Sequence, residues 1–257
     1  GETAPSNVLF LIDGRRINSI DMSGADLSQI SLEMIERVEI YRGPATVLFG
    51  DNAITGVINF ILKKGKGKPK VSAGLLAGSD GMFAPKLSVS GKQDKLAYYV
   101  LVSSYDTEGY RHNNSIFMKD IFGSFIFDAF KNLSISLKTG HHRDTSGMSG
   151  ALSFADLTTG RYGRTDSKKP DDSSNTEDNF VDLGADIKFG DNITFSVNGS
   201  YRLRHSSSTY ISSNWYSMRT FETYGVTPKI SVNTPLKKKK NTFVAGFDYY
   251  RYPTKSS

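Results

Sequence analysis

The segment Asn179-Phe-Val-Asp-Leu-Gly-Ala-Asp-Ile-Lys-Phe189 and its continuation Asn192-Ile-Thr-Phe-Ser-Val-Asn-Gly-Ser-Tyr-Arg-Leu-Arg204 decide the fold class. In the first, Val181, Leu183, Ala185, Ile187 and Phe189 alternate with Asp182, Gly184, Asp186 and Lys188. In the second, Ile193, Phe195, Val197, Gly199, Tyr201 and Leu203 alternate with Thr194, Ser196, Asn198, Ser200, Arg202 and Arg204. Successive side chains of a strand point to opposite faces, so each segment has one apolar and one polar face. Gly190-Asp191 between them is a turn signal.

Working outward, the same period-two grammar runs from Lys70 onward, clearest again in Asn132–Lys138 and Asn241–Tyr249. It predicts nine strands, at roughly 70–79, 82–91, 95–106, 115–129, 132–143, 179–190, 192–206, 219–233 and 241–252. Short turns around Gly91–Asp94, Phe130–Lys131, Gly190–Asp191 and Thr234–Lys240 alternate with mostly longer connections at Thr107–Asn114, Asp144–Asp178 and Ser207–Met218. Only Ser79–Met82 breaks that alternation. Two-faced strands of ~9–11 residues or more, with short turns at one end and long loops at the other, are the pattern of an outer-membrane barrel. Lipid cannot satisfy backbone polar groups, so such a sheet has to close. A soluble antiparallel sandwich also alternates, but its strands run about 5–6 residues. An odd strand count and a long aromatic edge at strand nine create the expectation of further strands. Gly1–Ser6 and Pro253–Ser257 read as interior sequence, so a fragment is expected.

Composition agrees. No run approaches the ~18 apolar residues of a membrane helix. Aromatic residues, at 12%, are too many for a disordered chain. The net charge of +6 is carried by turn lysines such as Lys63–Lys70 and Lys237–Lys240 rather than one face, which argues against a nucleic-acid partner. Zero cysteines exclude disulfide frameworks and thiolate metal sites.

Residues 1–66 follow another grammar, that of a small α+β unit. Val8–Ile12, Arg37–Tyr41 and Val57–Leu62 read as strands. Asp13-Gly14 and Gly43-Pro44 read as breaks. Gly24–Ile35 suits short helical turns, capped by Asp26 or Ser28.

Val8-Leu-Phe-Leu-Ile-Asp-Gly-Arg-Arg-Ile-Asn18, Ile35-Glu-Arg-Val-Glu-Ile-Tyr-Arg-Gly-Pro44, and Phe49-Gly50 with Ala53 and Gly56-Val-Ile-Asn59 resemble, in order, three motifs of TonB-dependent receptor plugs. Phe49 stands for the usual Tyr, and Thr55 for the first Gly of a pair. The spacing around Leu27-Ser28-Gln29 resembles the siderophore and cobalamin branch. The resemblance implies a membrane all-β fold, part of a 22-stranded antiparallel transmembrane β-barrel preceded by the C-terminal half of an α+β plug domain. The domains are then residues 1–66, the plug half, and 67–257, the first nine or so barrel strands.

The same resemblance implies an active-transport receptor of the bacterial outer membrane. It would bind a scarce metal chelate, a ferric siderophore or cobalamin, and pass it to the periplasm when TonB pulls on the plug. Expected partners are TonB, the chelate and outer-membrane lipid, including lipopolysaccharide. No cofactor or covalent chemistry is implied, and no catalytic triad, P-loop or paired-carboxylate site is present. The alternatives are a passive channel, a ligand-binding or adhesive barrel without energised transport, and a soluble β-rich domain. The plug segment discriminates, because an open pore has no need of it.

Glu36, Arg37, Glu39 and Arg42 are candidates for a charged plug–barrel latch. Gly43, Gly50 and Gly56 are assigned to backbone turns. Ligand contact is expected at Asn18 and the apical loop after it, with Asp21, Met22 and Ser23, and on extracellular loops at Arg161, Tyr162, Trp215 and Tyr216. Arg202 and Arg204 would line the lumen. Asp171, Asp172, Glu177 and Asp178 contain oxygen donors suited to calcium, though no EF-hand pattern is present. His141 and His142 are adjacent on a strand and face opposite sides, so they cannot share a metal.

Overall fold

The computed structural model describes residues 7–18, 25, 27, 30–50, 52–236 and 239–256. Expectations for Asp21, Met22 and Ser23, and for the caps Asp26 and Ser28, fall outside these residues. The chain divides into two units, Gly1–Lys64 and Gly65–Ser257.

In the first unit, β1 (Val8–Ile12) and β2 (Arg15–Arg16) form a hairpin through Asp13-Gly14. Both turn residues have positive φ, 47° and 84°. Asp-Gly is the pair that tolerates this geometry in a two-residue hairpin turn. β3 (Ile35–Arg42) and β4 (Gly56–Leu62) complete a sheet of order β2-β1-β4-β3. β1 and β4 are parallel, and both carry the apolar runs read from sequence. Leu9, Leu11, Ala53 and Val57 form the core, with Ala45 and Phe49 against it. The helical expectation for Gly24–Ile35 reduces to one 3-10 turn, Leu32–Met34, among the described residues, with Ser31 accepting from the Glu33 N–H. A four-residue helix, α1 (Thr46–Phe49), was not expected. Gly56 is required, because a Cβ there would lie 2.6 Å from the Tyr41 carbonyl oxygen.

The second unit is a sequential antiparallel sheet: β5 (Lys70–Ala77), β6 (Phe83–Gln93), β7 (Leu96–Thr107), β8 (Ile116–Phe130), β9 (Leu133–Gly147), β10 (Ser173–Phe189), β11 (Ile193–Tyr210), β12 (Trp215–Leu236) and β13 (Lys239–Gly246). A helix, α2 (Phe154–Thr158), lies between β9 and β10. β14 (Tyr249–Arg251) and β15 (Thr254–Ser256) also pair with β12, in the register of β13. The ninth strand is therefore one ladder with gaps at 247–248 and 252–253. Prolines explain them. Phe247 N–H reaches Pro228 O, but Pro228 has no N–H to return, and Pro253 lacks its own donor.

Register sorts the faces. Ile121, His141, Asn179 and Leu203 lie in one cross-strand row, and Asp120, His142, Asp178 and Arg204 in a row on the opposite face. The first face carries large apolar side chains that are exposed, among them Leu87, Val102, Ile121, Phe127, Leu183 and Val226. Ile193 to Leu203 spans about 34 Å at ~3.4 Å per residue. A tilt near 40° reduces that to about 26 Å, the height of the apolar band of an outer-membrane barrel.

Strand tops exceed the sequence expectation. β9 runs to Gly147 and β10 starts at Ser173, so the connection is 148–172 rather than 144–178. The Ser207–Met218 loop shrinks to Ile211–Asn214.

Candidate functional site

Two constellations stand out in the second unit. The first lies on the polar face. His142 Nδ1 is 2.8 Å from Asp120 Oδ1, and its Nε2 is 3.1 Å from Asp144 Oδ2. Asp144 is two residues along β9 and so shares the face. Ser103 Oγ donates to Asp120 Oδ2 at 3.4 Å. Beside them Arg202 binds Asp178 through Nε to Oδ1 at 2.8 Å and Nη2 to Oδ2 at 2.6 Å. These carboxylates and the imidazole are buried. Arg204 lies under the ring of Phe221, 6.0 Å from its centroid. Next to the charges runs an aromatic line, Tyr99–Phe122–Phe180, with centroids 6.0 and 6.4 Å apart. Arg202 and Arg204 therefore do lie on the polar face. Sequence reasoning missed Asp120, Asp144 and His142. The signal was present, since the odd-even phase of β8 and β9 puts three titratable groups side by side once the register is known.

The second constellation is at the long-loop end. Arg111 donates to Gly150 O at 2.6 Å, to Asp166 O at 2.9 Å and to Ser149 O at 3.4 Å. Asn113 Nδ2 donates to Lys169 O and Asp172 O at 2.6 and 2.8 Å. Asp172, fully buried, accepts from Ser212 N–H and Oγ at 3.0 and 2.7 Å. Three connections, 108–115, 148–172 and 211–214, are thus tied together. Burial pushes the Asp172 carboxyl up, but the Ser212 and Lys169 hydrogen bonds outweigh it and leave the group below its ordinary value. Within 148–172, Ser153 and Asp156 form a capping box on α2. The Lys168 ammonium at 2.8 Å, then Ser153, hold the Asp156 carboxyl well below the usual carboxylate range. The long connection holds a capped helix and is anchored at both flanks.

The predicted ligand residues separate. Arg161 lies over the Tyr162 ring, and Lys168 approaches the same ring, at 5.6 and 5.7 Å. Trp215 and Tyr216 are not loop residues but open β12. As neighbours on a strand they face opposite sides, so one ligand cannot meet both. Trp215 stacks on Tyr210 at 4.8 Å. The acidic group also disperses. Glu177 and Asp178 point to opposite faces, Asp178 is held by Arg202 and Asp172 by Ser212, so they form no shared calcium cage.

In the first unit, Asn18 is buried and clasps β1: its Oδ1 accepts from Phe10 N–H at 2.7 Å and its Nδ2 donates to Val8 O at 2.9 Å. On β3, Arg37 Nη2 meets Glu39 Oε1 at 2.7 Å, with Glu36 at 3.9 Å. Arg42 is exposed at the end of β3. Gly43 and Gly50 have φ of 95° and 77°.

Comparison with known proteins follows the same division. Residues 2–57 match the model of the TonB-dependent Receptor Plug Domain. The fold of 99% of the chain is that of 40% of the ferric citrate transporter FecA, with a TM-score of 0.84 at 19% identity. The whole chain overlies 43% of the ferric-catecholate import receptor Fiu from E. coli K12, with a TM-score of 0.79 at 16% identity. The chain is thus similar to the TonB-dependent receptors in two ways, in plug-domain sequence over residues 2–57 and in the fold it shares with parts of two solved transporters. In this chain the plug-domain match is followed by a sequential antiparallel sheet with one apolar and one polar face. Among curated relatives, it is 33% identical over 143 residues to the vitamin B12 transporter BtuB of Photobacterium profundum, a stretch covering 54% of this chain and 22% of that protein. The chain thus spans about a fifth of that relative's length.

Proposed function

We propose that this chain belongs to an outer-membrane active-transport receptor. It binds a scarce extracellular ligand, a ferric siderophore or a similar metal chelate such as cobalamin, and imports it to the periplasm with energy relayed by TonB. Residues 1–66 act as the plug segment and 67–257 as barrel strands. The observation that carries this reading is plug-domain sequence running directly into barrel strands: a passive channel gains nothing from a segment that fills its lumen. The tied loops support it, because a rigid platform presents ligand contacts at low entropic cost. Arg161, Tyr162 and Lys168 supply cationic and aromatic surface for an anionic chelate, and Trp215 supplies aromatic surface from the polar face of β12. Glu36, Arg37, Glu39 and Arg42 are the charges through which the plug is held yet released.

The test is uptake of radiolabelled iron as ferric siderophores, and of radiolabelled cobalamin, by cells with and without the gene, in TonB-positive and TonB-negative backgrounds. The proposal predicts uptake of one chelate that needs both genes. Uptake that persists without TonB would establish the passive channel instead.

A further inference from the structure

The two units join through a short stretch of chain, and each end of it is held. In the first unit, Leu62 N–H donates to Asp13 Oδ1 at 3.1 Å where β4 ends. Lys63 follows, its N–H donating to Met34 O at 2.8 Å and its Nζ to Glu33 O at 2.7 Å. In the second unit, Gly65 is buried against the ladder between β6 and β7. A Cβ there would collide with the carbonyl oxygens of Gly91 and Tyr98, which are partners in that ladder. Gly67, at a φ of 65°, turns its carbonyl oxygen to Lys92 N–H at 2.8 Å. Gly91 leaves room for Pro69, whose Cα would lie 2.9 Å from a Cβ at 91. Residues 65–69 are thus seated on backbone, and the contact needs a residue without a side chain on both of its sides.

The seat is itself braced. Lys95, in the β6–β7 turn, accepts from Asp128 N–H at 2.8 Å through its carbonyl oxygen, and its Nζ donates to Ala129 O at 3.0 Å. Asp128 Oδ1 accepts from Ser134 Oγ at 2.7 Å, at the start of β9. Strands β6 to β9 therefore stand behind Gly65. Between the Lys63 clasp and the Gly65 seat lies Lys64, which is exposed. At ~3.6 Å per extended residue, the Lys63 and Gly65 Cα atoms are never more than about 7 Å apart. Were residues 65–69 to lift off, the reach from Lys63 to Lys70 would grow to about 25 Å.

We infer that Gly65 is a pin that stays seated throughout transport, and that Lys64 is the hinge of the plug segment. Hinges are a few positions that absorb a change in φ and ψ while their neighbours stay fixed. The first unit then turns about Lys64, and the linker does not lengthen. The end of β4 stays in place, and displacement is largest in the parts of the first unit farthest from Leu62. Gly65 is a positioning residue in this account and touches no ligand. The inference rests on the transport reading under Proposed function.

The experiment uses the full-length receptor in whole cells. Lys68→Cys and Lys92→Cys are introduced together. The bond from Lys92 N–H to Gly67 O puts these positions side by side, and residues 1–257 contain no other cysteine. Both substitutions keep that backbone bond, and they remove an exposed Lys92–Asp128 pair, which contributes little. A short thiol-specific bridging reagent then locks the linker to β6. Probes are radiolabelled ferric citrate, a ferric catecholate and cobalamin. Expected is TonB-dependent uptake of one probe, unchanged with the bridge open or closed. Gly65→Ala, which unseats the linker, should lower that uptake severalfold and deprotect the Lys92 amide to exchange in the purified protein. Closing the bridge in the Gly65→Ala background should restore uptake, which it would not do for a mere packing defect. Uptake abolished by the bridge in the Gly65 background would overturn the proposal, because the linker then has to lengthen. Absence of TonB-dependent uptake by the unsubstituted receptor would sink the transport reading, and this inference with it. Should Gly65→Ala fail to fold, the bridge in the Gly65 background decides alone.

Discussion

Arg202 grips Asp178 with two nitrogens, Nε to Oδ1 at 2.8 Å and Nη2 to Oδ2 at 2.6 Å, across the β10–β11 ladder. The side chains are 11% and 5% exposed, so the pair is shielded from water. A bidentate arginine–carboxylate pair is geometrically specific, and breaking it leaves an uncompensated buried charge. Arg202→Ala should therefore cost about 3 kcal/mol. Adding Asp178→Asn should recover part of that loss, because the two positions are coupled. Unfolding midpoints of the two variants in detergent check both statements.

A second consequence concerns Gly140, which faces Phe180 in the adjacent ladder. A Cβ on residue 140 would collide with the Phe180 ring. Gly140→Leu should push that ring off Phe122 and destabilise the sheet by about 1–3 kcal/mol, the usual effect of overpacking. Gly140→Leu combined with Phe180→Ala should be more stable than Gly140→Leu alone. Thermal unfolding of the set is the measurement.

The loop platform should be pH-sensitive in a defined direction. Asp156 and Asp172 both titrate below the ordinary carboxylate value in the folded state. A depressed folded pKa contributes stability above the unfolded value near 4, lost as pH falls through the folded one. Amide protection across 148–172, taken relative to the intrinsic exchange rate at each pH, should be high at neutral pH and fall below about pH 4. Ser153→Ala, which removes the α2 cap, should cost about 1 kcal/mol locally and raise exchange in 154–158 at neutral pH.

Asn18 gives a test in the first unit. Its amide satisfies Phe10 N–H and Val8 C=O. Asn18→Leu strands both, each at roughly 1–3 kcal/mol. Protease sensitivity of residues 7–62 should rise. A chelate titration of the same variant separates this fold defect from direct ligand contact.

Much of this structure was legible because lipid imposes a strict rule. Where a strand crosses the apolar band, period two is obligatory, and 181–189 and 193–204 show it without a gap. Above the band both faces are wet and the rule lapses. Ser173–Asp178 and Ser207–Tyr210 are strand without alternation, so they read as loop. The plug strands were readable as short apolar runs ended by Asp-Gly and Gly-Pro. The site was less so. Arg111, Asn113 and Asp172 act through backbone carbonyls and a serine far away in sequence, and such partners leave no local pattern. Trp215 and Tyr216 read as one aromatic pair until the strand assignment put them on opposite faces.

One face of the sheet meets lipid and the other meets water, and every functional statement above depends on that division. The chain contains no cysteine, so single-cysteine variants across β10 have no background from this region. Replacements from Phe180→Cys to Lys188→Cys would carry spin labels in outer-membrane vesicles, and collision with oxygen would be compared with collision by a water-soluble nickel chelate. Period two is expected, with labels at 181, 183, 185 and 187 reached by oxygen and those at 182, 184, 186 and 188 by the chelate or shielded from both. Chelate access at 181 and 183, or no alternation at all, would contradict it.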